Sequence, residues 1–375
     1  LIFPGEIVPL PEEWLKEIIF QSDCPKRTFE AKQFYKLGWE MGCEFKNLTF
    51  DVELAAYLLN VSSKGYALSD LIGRYLIGRE YAIEEPYQTA AAFSDLCDAL
   101  EQEVREQNME NLLREIELPL CEVLSSMEYE GFAVNRNEVT GYGKELSDQI
   151  EFLKEELFRY AGKEFNPNST KELGVILFDE LGLPAKKKTK TGYSTNAEVL
   201  QSLLGQHPII ECLLEYRKLT KLHSTYITGL LKVIAPDGRV HSTFNQTETR
   251  TGRISSTEPN VQNIPVRTKE GSKIREFFVP REGYVLVDAD YSQIELRILA
   301  HIADDKDMQK AFQDGVDIHQ MTASQVFKIP LELVTPQMRS RAKAINFGIV
   351  YGIGAYSLRI SMCPFMKRRN ILRNI

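Results

Sequence analysis

Apolar positions change their period several times along the chain, and the changes predict helices interleaved with short strands. Phe45 to Phe50 reads as a strand-like run, and Asp51 to Leu59 follows with Leu54, Leu58 and Leu59 at helical spacing, so residues 28–60 form mixed α/β structure. Between Thr89 and Met127 the residues Phe93, Leu96, Leu100 and Val104 recur every three or four positions. Leu112, Leu113, Ile116, Leu120, Val123, Leu124 and Met127 continue the pattern, which predicts helices broken near Pro119. Gly143 to Tyr160 is an amphipathic helix, Asn166-Pro167-Asn168-Ser169 a turn with a helix start behind it, and Leu213 to Leu231 helical again. Gly238 to His241 and Thr243-Phe244 alternate as strands do. Tyr284 to Val287 is an apolar run that ends in acid. It predicts a buried strand delivering Asp290 to a sheet edge, before a helix with Ile294, Ile298, Leu299 and Ile302 on one face. Pro336 opens a last helix.

Composition narrows the class. With 43% hydrophobic and 26% charged residues in 375, the chain can fill two or three domain cores and is not of the disordered type. No apolar run reaches the ~18–20 residues that cross a bilayer, so no membrane partner is expected. A basic segment leading into an apolar one is missing at the start, so no secretion signal is read. Six cysteines without a C-x-x-C pair exclude a disulfide scaffold and a structural zinc site. A cytoplasmic monomer is the expectation, and Leu1 in place of Met points to a fragment. Charge is uneven: residues 1–130 carry 11 Lys and Arg against 25 Asp and Glu, the remainder 34 against 28. An acidic front joined to a basic back fits a polyanion partner for the back, or two domains with unequal solvated surfaces.

Three stretches carry candidate chemistry. Asp290, at the end of its apolar run, is a carboxylate suited to Mg²⁺, which takes hard oxygen ligands and substrate phosphates; alternatively Asp290 or Ser292 only caps the helix behind it. Arg339, Lys343, Phe347 and Tyr351 stand four apart, so they lie along one slowly winding helical stripe. Two cations and then two aromatics suit the phosphates and base of a nucleoside triphosphate; an amphipathic helix with a cation–π pair explains the aromatics but not why basic residues share their face. Finally, Arg253, Asn260 and Gln262 occupy a proline-bounded polar loop and can donate to the acceptors of a DNA minor groove. The basic run Lys186 to Lys190 is either a solvated loop or a phosphate contact.

Together the runs TGRISSTEPNVQNIP (251–265), DADYSQIELR (288–297), DIH (317–319) and RSRAKAINFGIVYG (339–352) resemble the family A DNA polymerases. The resemblance implies an α/β and α+β multidomain chain. A ribonuclease H-like, inactive proofreading-type domain over residues 1–114 would precede a partial right-hand polymerase over 115–375. In the latter, 115–234 would be thumb, 235–293 palm, 294–358 the start of the fingers, and 359–375 an aberrant tail. It implies template-directed DNA synthesis in replication and repair, with primer–template DNA and dNTPs as partners. Two Mg²⁺ ions would be held in part by Asp290, the catalytic carboxylate, and by the Tyr291 carbonyl. Gln293, Glu295, His319, Arg339, Lys343, Phe347 and Tyr351 would bind the nucleotide, with Glu295 crowding out a 2′-hydroxyl. Arg253, Asn260, Gln262 and Asn263 would contact the DNA. Closure of the 339–351 helix would complete the site around a fitting base pair.

The chain also departs from the family. The Asp-x-Glu pair of the first proofreading motif is absent, Ala91 stands four residues after Tyr87 where an acid belongs, and Asp51 reads as a helix start. No His-Asp-Glu run, which supplies the family's second metal-binding aspartate, occurs in the 375 residues. From Arg359 onward the pattern is lost. Skipping two bases at that codon lets permitted codons read NINVPFHEAKKYFEKY, so a frameshift is the expectation. The chain as it stands is then expected to be inactive, with an incomplete palm whose run Val285 to Val287 lacks a pairing neighbour. The alternative is a DNA-binding remnant without catalysis. Single-subunit RNA polymerase, a third reading, is opposed by Glu295.

Overall fold

The computed structural model describes residues 2–3, 6–7, 11–79, 81, 86–185, 188–189, 192–266, 268–350 and 352. The chain divides into two compact units, Leu1–Leu286 and Val287–Ile375.

Three hydrophobic cores lie among the described residues of the first unit. The N-terminal one surrounds a parallel strand pair, Lys26–Thr28 beside Leu48–Asp51, and buries Phe20, Phe50, Leu71, Leu96, Leu100 and Leu113. Phe45 meets the rings of Phe20 and Tyr35 edge-on, a favoured aromatic geometry. Asp51 ends its strand and caps helix Val52–Leu59, as expected from its sequence: Oδ1 accepts the Leu54 N–H at 3.0 Å. Its Oδ2 accepts from Thr28 Oγ1 and the Ala31 N–H, so both oxygens are engaged. A second core forms where helices Arg136–Ala161 and Pro208–Leu222 pack, with Leu157, Leu177, Ile209 and Leu213 inside. The third joins Val139, Leu146 and Leu219 to Val240, Ile274 and Phe277.

The predicted break at Pro119 is corrected. The helix Pro86–Glu106 ends earlier, where Asn108 takes a left-handed φ of 58°. The Met109 N–H there reaches back to the Val104 carbonyl and the Asn108 N–H to that of Arg105, a closing pattern that satisfies the last carbonyls. Pro119 instead sits in the first turn of helix Leu118–Glu130, where its missing N–H costs little, behind a wider π-type turn over Leu113–Glu117.

The second unit is helical among its described residues: Ile294–Ile302, Lys306–Gln313, Ile318–Phe327 and Pro336–Val350. Among its described residues Leu296, Ala311 and Ile318 form one buried cluster, and Ala323, Val326, Ala342 and Ile345 are buried on the last two helices. Two expectations are corrected. Residues 284–290 form no strand or helix, and Val285 and Val287 are 79% and 83% exposed. No partner strand supplies their backbone with a ladder among the described residues, so the apolar pattern has no sheet to join. The helix that follows buries Leu296 and Ala300, while Ile294, Ile298, Leu299 and Ile302 face outward. No helix among the described residues is long and apolar enough to cross a membrane.

Candidate nucleic-acid and nucleotide sites

In the first unit, strands Thr243–Asn245 and Ser255–Thr257 pair antiparallel and project the loop that carries Arg253. The stretch that follows the second strand is ordered by its own polar side chains. Asn260 Oδ1 accepts the N–H groups of Gln262 at 3.0 Å and Asn263 at 3.2 Å, and the hydroxyl of Ser256. Ser256 is fully buried and its Oγ accepts the Val261 N–H at 3.1 Å. Gln262 Nε2 donates to the Ile254 carbonyl at 2.9 Å, and Tyr226 donates its hydroxyl to the Asn263 carbonyl. Arg253, Asn260, Gln262 and Asn263 all remain exposed, so a fixed backbone presents one cation and three carboxamides on one short stretch. A cavity of about 440 Å³ adjoins it, lined by Lys221, Thr225 and Tyr226 from one side and by Asn260 and Asn263 from the other.

The base of the hairpin is held from the N-terminal core. Glu128, 5% exposed, accepts from Lys32 Nζ at 2.5 Å, Lys36 Nζ at 2.9 Å and the Phe244 N–H at 2.8 Å, while Lys32 also donates to the Phe244 carbonyl. Burial alone would raise the Glu128 carboxyl. The two ammonium groups and the amide outweigh it and hold the group below the usual carboxylate range.

In the second unit, helices Ile318–Phe327 and Pro336–Val350 pack side by side and bring the DIH run and the cationic stripe together. Asp317 caps the first helix: Oδ1 accepts the N–H groups of His319 at 2.8 Å and Gln320 at 3.1 Å. Its Oδ2 accepts from Arg339 Nε at 2.6 Å. Partial burial works against the charged form of Asp317, but the Arg339 bond and the amides win, and its carboxyl lies below the ordinary range. His319 is 1% exposed. Asn346 Nδ2, which can only donate, lies 3.0 Å from His319 Nδ1, so the neutral ring carries its proton on Nε2. Burial is the main reason this imidazole sits below its usual value; Asp317 opposes it and the charges of Arg339 and Lys343 add to it. The Phe347 ring lies 5.8 Å from the His319 ring and 5.8 Å from Lys343 Nζ.

Of the expected nucleotide residues, Arg339, Lys343 and Phe347 therefore follow one helix, and the buried His319 packs beside them. Tyr351 lies outside the described residues. Gln293 precedes helix Ile294–Ile302 with a left-handed φ of 54°, and its buried Oε1 has no hydrogen-bond partner among the described residues. Glu295 is half-buried in the first turn behind it. Asp290 and Tyr291 are exposed on the irregular segment before that helix. A carboxylate and a neighbouring carbonyl are the right kind of donor for Mg²⁺, but too few: no group of three His, Cys, Asp or Glu side chains converges among the described residues. Asn346 went unnoticed in the sequence, and Asp317 was only part of a run. The signal for Asn346 was its spacing, since 339, 343 and 346 follow one face of a helix.

Comparison with known proteins bears on the family. The description "DNA polymerase family A" matches residues 136–365, and "DNA polymerase I, ribonuclease H-like domain" matches residues 4–81. The chain is 46% identical to DNA polymerase I of Caldicellulosiruptor bescii over 92% of its own length and 41% of that protein. It is 45% identical to DNA polymerase I of Geobacillus stearothermophilus over 95% of its length and 42% of the relative. It thus spans about two fifths of the curated relatives it matches. Among solved structures, the polymerase domain of Pol1 from M. smegmatis in complex with DNA primer-template and dNTP aligns with a TM-score of 0.87 and 40% identity. That alignment takes in 99% of this chain and 65% of the other.

Proposed function

The chain belongs to DNA polymerase family A, with a ribonuclease H-like exonuclease domain ahead of its polymerase residues, and on that premise we propose that it serves template-directed DNA synthesis in replication and repair. Residues 1–114 act as the exonuclease-like domain without proofreading. Residues 115–375 contribute thumb, palm and the start of the fingers. The observation that carries the reading is the meeting of Asp317, His319, Arg339, Lys343 and Phe347 across two packed helices, from runs some twenty residues apart. Arg339 and Lys343 take phosphate oxygens, and the Nε2–H of His319 adds a neutral donor. Phe347 lies against sugar and base. Gln293 and Glu295 border the sugar, where the acid excludes a 2′-hydroxyl. The loop of Arg253, Asn260, Gln262 and Asn263 holds the primer–template through its minor groove. Asp290 and the Tyr291 carbonyl are this chain's contribution to the Mg²⁺ ions. With ligands beyond these two, Mg²⁺ held there would supply Lewis acidity at the primer 3′-hydroxyl and at the phosphates.

A second reading, DNA binding without catalysis, is favoured because no group of three metal-ligating side chains converges at Asp290 among the described residues. One assay separates the two. The purified polypeptide is given labelled primer–template, dNTPs and Mg²⁺, and both binding and extension are measured. Binding with extension supports the polymerase role for these residues alone, and binding without extension supports the second reading. Absence of both duplex and dNTP binding would remove the proposal.

A further inference from the structure

We propose that Glu53 and Tyr57 are positioning residues for the loop that carries Arg253, so that the N-terminal domain braces the primer–template interface. The inference rests on the reading of that loop as a DNA contact. Glu53 and Tyr57 stand four apart on helix Val52–Leu59 and so face the same side. Tyr57 donates its hydroxyl to the Thr249 carbonyl at 2.8 Å, and Thr247 Oγ1 donates to Glu53 Oε1 at 2.9 Å. The two loop partners are two residues apart, so one helical turn clamps the loop at two points. Thr249 in turn donates from Oγ1 to the Arg253 carbonyl at 2.6 Å, closing the turn that presents Arg253. A single chain of bonds therefore runs from Tyr57 to the backbone of the exposed cation.

The clamp is stiff because its base is fixed. Asp51 caps the helix and is itself bound by Thr28, Ala31 and Leu54, while the Tyr57 ring packs edge-on against Tyr66. The neighbouring Gln246 is tied in the same way, through Nε2 to the Glu117 carbonyl at 2.9 Å. These contacts use polar groups of the loop itself, which apolar packing alone would not require.

The test compares the whole chain with Tyr57→Phe, Thr247→Val, Glu53→Gln, Arg253→Ala and the double variant Tyr57→Phe/Arg253→Ala. Binding to a fluorescent primer–template duplex is measured, and amide hydrogen exchange is read without DNA. Tyr57→Phe and Thr247→Val are each expected to weaken binding about threefold to tenfold, the worth of one hydrogen bond. Both are expected to speed exchange in residues 247–256 and leave helix Arg136–Ala161 unchanged. Glu53→Gln, which keeps an acceptor for Thr247, should bind nearly as the parent does. In the Arg253→Ala background the Tyr57→Phe loss should shrink below about twofold, since the two act through one element. Additive losses, unchanged loop exchange, or faster exchange spread over the whole first core would each overturn the brace. If Arg253→Ala leaves binding intact, the DNA reading of the loop fails, and the exchange data still decide whether the helix braces it.

Discussion

Arg339 donates from Nε to Oδ2 of Asp317 at 2.6 Å, while the other oxygen of that carboxylate caps the helix bearing His319. One acid thus orients the cation proposed for the triphosphate and anchors the neighbouring histidine. The pair is partly exposed, so its contribution to stability is modest. In the proposed role it also acts on a ligand, because the charge of Asp317 competes with a phosphate for the field of Arg339.

Asp317→Asn tests that competition. Asparagine caps a helix about as well as aspartate, so the helix should survive. With the charge gone, Arg339 is released, and affinity for a dNTP is expected to rise about threefold by calorimetric titration. Arg339→Ala should lower it by about tenfold or more, the range of a charge-assisted bond. Equal affinity in both variants would show that the cation does not meet phosphate.

His319 sets a pH dependence. Its imidazole is held below its ordinary value in the folded chain, so the unfolded chain binds the proton more readily. Stability contributed by the neutral ring is therefore intact above the unfolded value near ~6.5 and falls as pH drops below it, by at most about 1.4 kcal/mol per pH unit for one proton. Thermal midpoints measured from pH 8 to 5 should decline in the parent and flatten in His319→Gln. A parallel decline in the variant would assign the titration elsewhere.

Glu128 makes the opposite kind of contribution. Its carboxyl is held below the usual range, so the stability that it supplies is present above about 4.3 and is lost as pH falls through the folded value. Glu128→Ala leaves Lys36 and the Phe244 amide without their acceptor and Lys32 with the Phe244 carbonyl alone, and should cost about 2–4 kcal/mol in urea unfolding, given that Lys32 and Lys36 keep partial access to water. A loss under ~1 kcal/mol would mean that the three-way junction is ornamental.

The loop residues separate by salt dependence. Arg253→Ala should weaken duplex binding and lower the log–log salt slope by about one, as removal of one cation does. Asn260→Ala removes the acceptor that folds the loop, and should weaken binding about tenfold with an unchanged slope. Anisotropy titrations between low and moderate salt read both quantities.

Periodicity made the long helices legible. The stripe 339, 343 and 347 fell on one helix because a four-residue step stays on one face. Local rules also identified Asp51 as a cap, since an acid before an apolar period is a start signal. What stayed hidden depends on partners distant in sequence. Residues 284–287 have the composition of a buried strand, and only a neighbouring strand decides whether they become one. The breaking power of Pro119 was misjudged because a proline in a first turn is harmless, and the preceding wide turn has no compositional mark. The Tyr57–Thr249 and Asn346–His319 bonds join positions that no local pattern couples.

The junction at Lys32 has a consequence for the order of assembly. Lys32 and the Phe244 carbonyl are 212 positions apart, and Glu128 lies between them in the chain. During synthesis the ammonium can meet Glu128 long before the hairpin emerges from the ribosome. The early pair then offers a ready-made docking point on which the later strand settles, so a nascent chain is set to mature from its front end backwards onto it. Closing so long a loop is slow on its own, and a partner already in place shortens the search.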